Sequence, residues 1–225
     1  MVYLYLYEKV NIPSDIYRNL LNYTSDYSKK SILQKWTYKE KCTAIIDDFL
    51  LREFMYKNYR LRYDNDEIIT NEFGKPFFRK QKGYYFNFSH NDKYGVLVLG
   101  EDLVGADIEE IERINTKTKS IFVSDRDYFS KVDTKLSLCK LWTAKESYCK
   151  AIGCGLNISL KEVNVVRIKN NIKIGYREKS KKWFVKYFEL DGKTEIAVCS
   201  IDQFSLKYSK INILEYLSTP ICLAK

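Results

Sequence analysis

Leu141-Trp142-Thr143-Ala144-Lys145-Glu146-Ser147-Tyr148-Cys149-Lys150-Ala151-Ile152-Gly153-Cys154-Gly155-Leu156 is the stretch on which the reading of this chain turns. On a helix, Trp142, Glu146 and Lys150 recur at i, i+4 and i+8 and share one face. Lys145 lies beside them, about 100° round the axis. Gly153 and Gly155 mark the helix stop and a tight loop. An acid and two ammonium groups gathered here suit an anion held through a metal ion. A solvated helix with an ordinary Glu146–Lys150 ion pair accounts for the same residues.

Composition narrows the classes. The chain has 225 residues, 45% hydrophobic and 30% charged, enough for one large domain or two small ones with a sizeable core. Three prolines leave little room for a Pro-rich linker. The net charge of +9 implies an anionic partner: nucleic acid, acidic protein or a phosphate-rich ligand. Cys42, Cys139, Cys149, Cys154, Cys199 and Cys222 form no CxxC pair, and His90 is the only histidine. A structural zinc site is therefore not expected, and the cysteines read as reduced thiols of a cytoplasmic protein. The N-terminus reads as an apolar strand rather than a signal peptide, and no run approaches the roughly 18 apolar residues of a membrane helix.

Along the chain, residues 2–7 predict a strand and the region up to about residue 35 predicts helices. Thr37-Tyr38-Lys39-Glu40 fits a capping box, with a helix running to about Asn58. Its stripe of Ile45, Ile46, Phe49, Leu50 and Phe54 is expected to be core. Residues 64–70 predict a turn and a short strand, and Gly74-Lys75-Pro76 a defined turn. Residues 84–90 and 94–99 predict a hairpin, followed by a strand at 103–109. Short helices are expected within 119–130, a helix at 136–152, and strands near 161–168, 171–177, 182–189 and 194–201. Helix then strands, twice over, suggests an α+β chain of two similar lobes, although no sequence repeat is detectable.

Asp107 and Glu109 are two apart on a strand and point to the same face, with Ile108 on the other. With Glu146 they supply three oxygen donors, which suits Mg²⁺ completed by waters and a ligand phosphate. A solvated strand end carrying two acids is the alternative. Ser89 and His90 end another strand and could bind phosphate oxygens. A hydrolase triad is disfavoured, because neighbours on a strand face opposite ways and no G-x-S-x-G elbow is present.

Four signals therefore stand in one order: Gly74-Lys75-Pro76, Asn87-Phe88-Ser89-His90, Gly105-Ala106-Asp107-Ile108-Glu109, and the helix motif with its glycine exit. This order resembles the 4′-phosphopantetheinyl transferase superfamily, in its longer, surfactin-synthetase-activating type. The resemblance runs from the first strand to about residue 205. It implies two similar α+β lobes with pseudo-two-fold symmetry, 1–103 and 104–225, the second carrying the metal site, and an active site at their interface. It implies a cytoplasmic monomer that moves the phosphopantetheine arm of coenzyme A onto a carrier-domain serine and releases 3′,5′-ADP.

Residue by residue, the resemblance implies that Lys75, Ser89 and His90 hold the nucleotide and phosphates. Asp107, Glu109 and Glu146 match the magnesium ligands, with Mn²⁺ as a substitute. Lys145 and Lys150 match the basic residues of the helix motif, Lys150 facing the pyrophosphate. Glu146 is the candidate base, directly or through a metal-bound water. Thr43 stands where the family commonly has a basic residue, leaving Lys29, Lys30, Lys35 and Lys41 for the 3′-phosphate. Asn91 stands where a small serine is common and is expected to matter little.

The positive charge then matches acidic carrier proteins and polyanionic coenzyme A rather than nucleic acid or a membrane. Segment 111–130, with Ile111, Ile114, Ile121, Phe122 and nearby lysines, is expected to help dock the carrier. The competing readings are a Mg²⁺-dependent nuclease, which would want a lysine on the strand that carries the acids, and a binding-only protein of the same fold.

Overall fold

A computed structural model describes residues 1–24, 26–62, 68–129, 134–155, 157–176 and 182–218, without the side chains of residues 26 and 27. Leu156, Cys222 and residues 64–67, where the turn before the expected short strand falls, lie outside these residues. The fold is mixed α and β. The chain runs β1 (Val2–Glu8), α1 (Ser14–Tyr23), α2 (Asp26–Leu33), α3 (Tyr38–Tyr59), β2 (Ile68–Thr70), β3 (Pro76–Phe78), β4 (Tyr85–His90), β5 (Tyr94–Gly100) and β6 (Val104–Glu110). It continues with α4 (Lys119–Phe122), α5 (Lys135–Ile152), β7 (Val163–Ile168), β8 (Asn171–Tyr176), β9 (Trp183–Leu190), β10 (Thr194–Ile201), β11 (Leu206–Ile211) and α6 (Ile213–Ser218).

Two sheets lie back to back. One has the order β11-β1-β5-β4 and the other β6-β10-β9-β8-β7, while β2 and β3 form a small separate hairpin. The apolar faces of β1, β5, β6 and β10 meet between the sheets, where Leu4, Leu6, Val96, Val98, Val104, Ala106, Ile108 and Val198 are buried. The outer face of the first sheet packs on α1, α3 and α6, through Tyr7, Ile45, Ile46, Leu50, Phe54, Leu97 and Ile213. The outer face of the second sheet packs on α5, through Leu141, Ala144, Tyr148, Val165, Trp183, Ala197 and Cys199. Each sheet is thus covered on both faces, and its central strands read as continuous apolar runs rather than alternating ones.

The expected division at 103/104 misses one crossing. β11 returns to the first sheet and pairs in parallel with β1, from Val2↔Leu206 to Tyr7↔Ile211. The end of the chain therefore completes the sheet begun by its start.

The expected start signal of α3 is present. Thr37 accepts a hydrogen bond from the Glu40 amide, and the Glu40 carboxylate accepts from the Thr37 amide at 2.9 Å, a reciprocal cap on α3. Such a cap stabilises a helix by about 1 kcal/mol. Thr134 and Ser137 form the same arrangement at α5, and Gly153 closes that helix in the left-handed conformation. Among the described residues the cysteines are free thiols, and no helix is long and apolar enough to cross a membrane.

Candidate active site

α5 is buried on nearly all sides. Between Leu141 and Ala151 its half-buried residues are Trp142, Glu146 and Lys150, at the spacing of four that puts them on one stripe. That stripe is held close to β6 because Gly105 has no side chain. A Cβ there would fall 2.1 Å from the Ser147 carbonyl oxygen and 2.4 Å from the Ala151 amide nitrogen.

The close approach brings β4, β6 and α5 together. Ser89, on β4, donates to Asp107 Oδ1, on β6, at 2.9 Å. Lys150 Nζ, on α5, donates to Ser89 Oγ at 2.8 Å and to Asp107 Oδ1 at 2.5 Å. Two residues back on β4 and one back on β6, Asn87 Oδ1 accepts from the Ala106 amide at 3.0 Å and ties the two strand edges together. The ordinary i,i+4 pair is therefore not what forms: among the described residues Lys150 pairs with Asp107, not with Glu146.

The acids feel one another. Glu146 is pushed up to about 7, first by burial and then by the Asp107 carboxylate, with Lys150 opposing. Glu109 is likewise raised to about 7, by burial and by Asp107. Asp107 Oδ2 and Glu146 Oε1 are buried oxygens with no hydrogen-bond partner. Unpartnered buried carboxylate oxygens are costly and suit a hard cation. The expected three-ligand cage is not formed as such, since among the described residues no group of three or more Asp, Glu, His or Cys converges as a metal site. The donor set that fits a divalent cation is the open pair Asp107 and Glu146, with Glu109 two residues along the strand.

His90 points the other way from Ser89, as strand alternation requires. Its Nε2 lies 2.9 Å from Asp47 Oδ2 and 3.2 Å from the Tyr7 hydroxyl. It lines a cleft of about 310 Å³ between β4 and helices α2 and α3, together with Lys9, Lys35, Thr43, Asp47 and Phe88. Of the lysines expected to serve a 3′-phosphate, Lys35 is on this lining. Thr43 donates to the Lys39 carbonyl at 2.9 Å.

Two lysines depart from expectation. Lys145 is fully buried and turned away from the cleft, with Nζ donating to Asp127 Oδ2 at 2.6 Å and to the Phe122 carbonyl at 2.5 Å. The step of 100° from Glu146 that made it look adjacent also carries it into the core, so it is a core ion pair rather than a nucleotide contact. Lys75 Nζ donates to the Ala151 carbonyl at 2.7 Å, and burial lowers it to about 8. Its ammonium ties the β2–β3 turn to the end of α5.

Asn71 escaped the sequence reading, and Asn91, expected to matter little, is a structural residue. Asn71 Nδ2 donates to the Gly153 carbonyl at 2.7 Å, docking the same turn. Asn91 Oδ1 accepts from the amides of Lys93 and Tyr94 and shapes the β4–β5 turn that His90 precedes. Asn91-Asp92-Lys93 between two strands was the available signal. Of the expected docking residues, Ile121 is 65% exposed, but Phe122 is buried against Trp142 and cannot meet a partner.

Comparison with known proteins gives consistent matches. The 4′-phosphopantetheinyl transferase superfamily matches residues 103–199, from β6 through α5 to β10. The 4′-phosphopantetheinyl transferase gsp of Aneurinibacillus migulanus is 31% identical over 160 residues, 67% of either chain. The 4′-phosphopantetheinyl transferase Sfp of Bacillus subtilis (strain 168) is 25% identical over 179 residues, 76% of this chain and 80% of that one. The L-aminoadipate-semialdehyde dehydrogenase-phosphopantetheinyl transferase of Candida glabrata is 22% identical over 147 residues, 60% of this chain and 56% of that one.

Proposed function

The chain belongs to the 4′-phosphopantetheinyl transferase superfamily and transfers the phosphopantetheine moiety of coenzyme A to carrier-protein domains, and we propose that the Asp107–Glu146–Lys150 cluster is where the transfer occurs. The observation that carries this reading is the meeting of β4, β6 and α5, which puts Ser89, Asp107 and Lys150 within hydrogen-bond reach of one another beside Glu146.

The reaction joins a carrier serine oxygen to the pantetheine-side phosphorus of the pyrophosphate and breaks that phosphorus's bond to the bridging oxygen, which departs with 3′,5′-ADP. Charge is the obstacle, since the pyrophosphate is anionic and its leaving phosphate gains more. Lys150 supplies a positive charge beside that group. Glu146, on the face that meets the pyrophosphate, is assigned as the base that takes the serine proton, directly or through water. Ser89 and His90 are assigned to phosphate oxygens, and Lys35 to the far end of the nucleotide. Lys75 is assigned to shaping the cleft rather than to direct contact, because its ammonium already serves backbone carbonyls.

Asp107 and Glu146, with Glu109 completing the set, would hold Mg²⁺, or Mn²⁺ in its place. The unpartnered buried oxygens of Asp107 and Glu146 support this assignment. Bound there, the ion would neutralise pyrophosphate charge and align the phosphorus. The two helix-backed sheets are read as the two similar lobes, related by a pseudo-two-fold axis, with the site where they meet. The chain is taken to act as a cytoplasmic monomer on acyl, peptidyl or aryl carrier domains, with no nucleic acid or membrane partner. Incubation with coenzyme A, Mg²⁺ and an apo carrier domain, followed by mass spectrometry of the carrier, tests the assignment. A gain of one phosphopantetheine is expected. An unmodified carrier, with coenzyme A bound, would leave a binding-only protein.

A further inference from the structure

The lone histidine is held by a device that the transfer chemistry does not itself require. Tyr7, Gly95 and His90 lie in one row across the first sheet, because Gly95 is in register with Tyr7 on one side and with His90 on the other. The absence of a side chain at Gly95 opens the row. A Cβ there would fall 2.3 Å from Tyr7 Cζ, so the phenol ring lies directly over this residue. Crossing it, the Tyr7 hydroxyl reaches both Asp47 Oδ1, at 2.6 Å, and His90 Nε2, at 3.2 Å. Asp47 Oδ2 lies 2.9 Å from the same ring nitrogen.

Counting hydrogens fixes the arrangement. A carboxylate only accepts, and the phenol has one proton to give. Tyr7 is fully buried and its hydroxyl is held well above the usual phenol range, by burial first and then by Asp47, so it remains a donor. That proton goes to Asp47 at the shorter distance. The hydrogen between His90 Nε2 and this pair is therefore His90's own. Nδ1 is left as the ring nitrogen with no protein partner among the described residues, on a side chain that lines the 310 Å³ cleft.

We propose that Asp47 and Tyr7 are positioning residues that fix the ring orientation and the Nε2–H tautomer of His90 and thereby set the affinity for coenzyme A. The affinity part rests on His90 contacting the phosphates. The positional part does not, and the experiment separates them. Because the chain has a single histidine, a two-bond ¹H–¹⁵N spectrum at alkaline pH reads one imidazole without assignment.

The wild type is expected to give the Nε2–H pattern, and Asp47→Asn and Tyr7→Phe a mixed or reversed one. In Asp47→Asn the KM for coenzyme A is expected to rise roughly three- to tenfold, with the change in KM larger than that in kcat. In a His90→Ala background the Asp47 change should then add nothing, because the two act as one unit. An Nε2–H pattern that persists in both variants overturns the proposal and leaves the role of His90 intact. Additive effects on KM overturn it as well. If His90→Ala leaves the KM unchanged, the phosphate contact is wrong and the affinity claim falls with it, while the spectrum still decides the positional claim.

Discussion

Lys145 and Glu146 are neighbours in sequence, yet one is sealed in the core and the other opens on the site. The buried pair of Lys145 with Asp127 also fixes a wider network, since Asp127 Oδ1 accepts from the Val165 amide at 2.8 Å and Oδ2 accepts from the Ser124 amide at 2.8 Å. Removing one partner strands a buried charge, a change that costs about 3–5 kcal/mol. Lys145→Met is therefore expected to lower the unfolding free energy by that amount in a denaturant titration. An unchanged midpoint would show that the pair is not integral. The sequence carried the motif but not this division of labour. Helical spacing identified the stripe of Trp142, Glu146 and Lys150 correctly, whereas the role of Lys145 depended on Asp127, 18 residues away. Asp47 was invisible for a similar reason, because it lies within an apolar helical stripe and finds Tyr7 and His90 only through tertiary packing.

At the scale of elements, local patterns were the legible part. The capping box at Thr37, the hairpin of β4 and β5 and the long helix α5 all follow from short-range residue choices, and each formed within a residue or two of expectation. β11 and α6 did not announce themselves. β11 is a polar edge strand, Leu206-Lys207-Tyr208-Ser209-Lys210-Ile211, and its partner β1 lies at the opposite end of the chain. No local period encodes such a pairing. The contact of β6 with α5 has a sharper sequence signature in Gly105. Gly105→Ala is expected to displace α5 from β6, because its Cβ would meet backbone rather than a flexible side chain. Thermal denaturation should report a loss of at least about 2 kcal/mol, and transfer activity should fall with it. Wild-type stability and turnover in that variant would contradict the close-packing account.

Across the whole molecule, two helix-covered sheets present their facing edge strands, β4 and β6, to one helix, and the acids meet there. Their burial makes folding sensitive to pH. Glu109 and Glu146 are raised to about 7 from an ordinary 4.5. A carboxyl raised on folding contributes stability that is complete below its unfolded value and is lost as pH rises through the folded one. The melting temperature without divalent cation should therefore fall between about pH 5 and pH 8. The slope should shrink in Glu146→Gln, and added Mg²⁺ should restore stability at the alkaline end more than at the acid end. Asp107→Ala should weaken the Mg²⁺ response. A melting temperature that is flat across this range, or equal Mg²⁺ effects at both ends, would count against the carboxylate cluster. The net charge of +9 set an anionic partner but could not choose one. The order of motifs did that, and the folded chain adds why they stand so far apart in sequence.

Glu146, on the stripe that α5 presents to Asp107, is the residue assigned to the chemistry of transfer rather than to coenzyme A binding. Glu146→Gln keeps the volume and removes the charge, so single-turnover transfer to an apo carrier, measured beside calorimetric coenzyme A binding, tests it most directly. Binding is expected to persist while transfer is abolished. Turnover like that of the unmodified protein would contradict it.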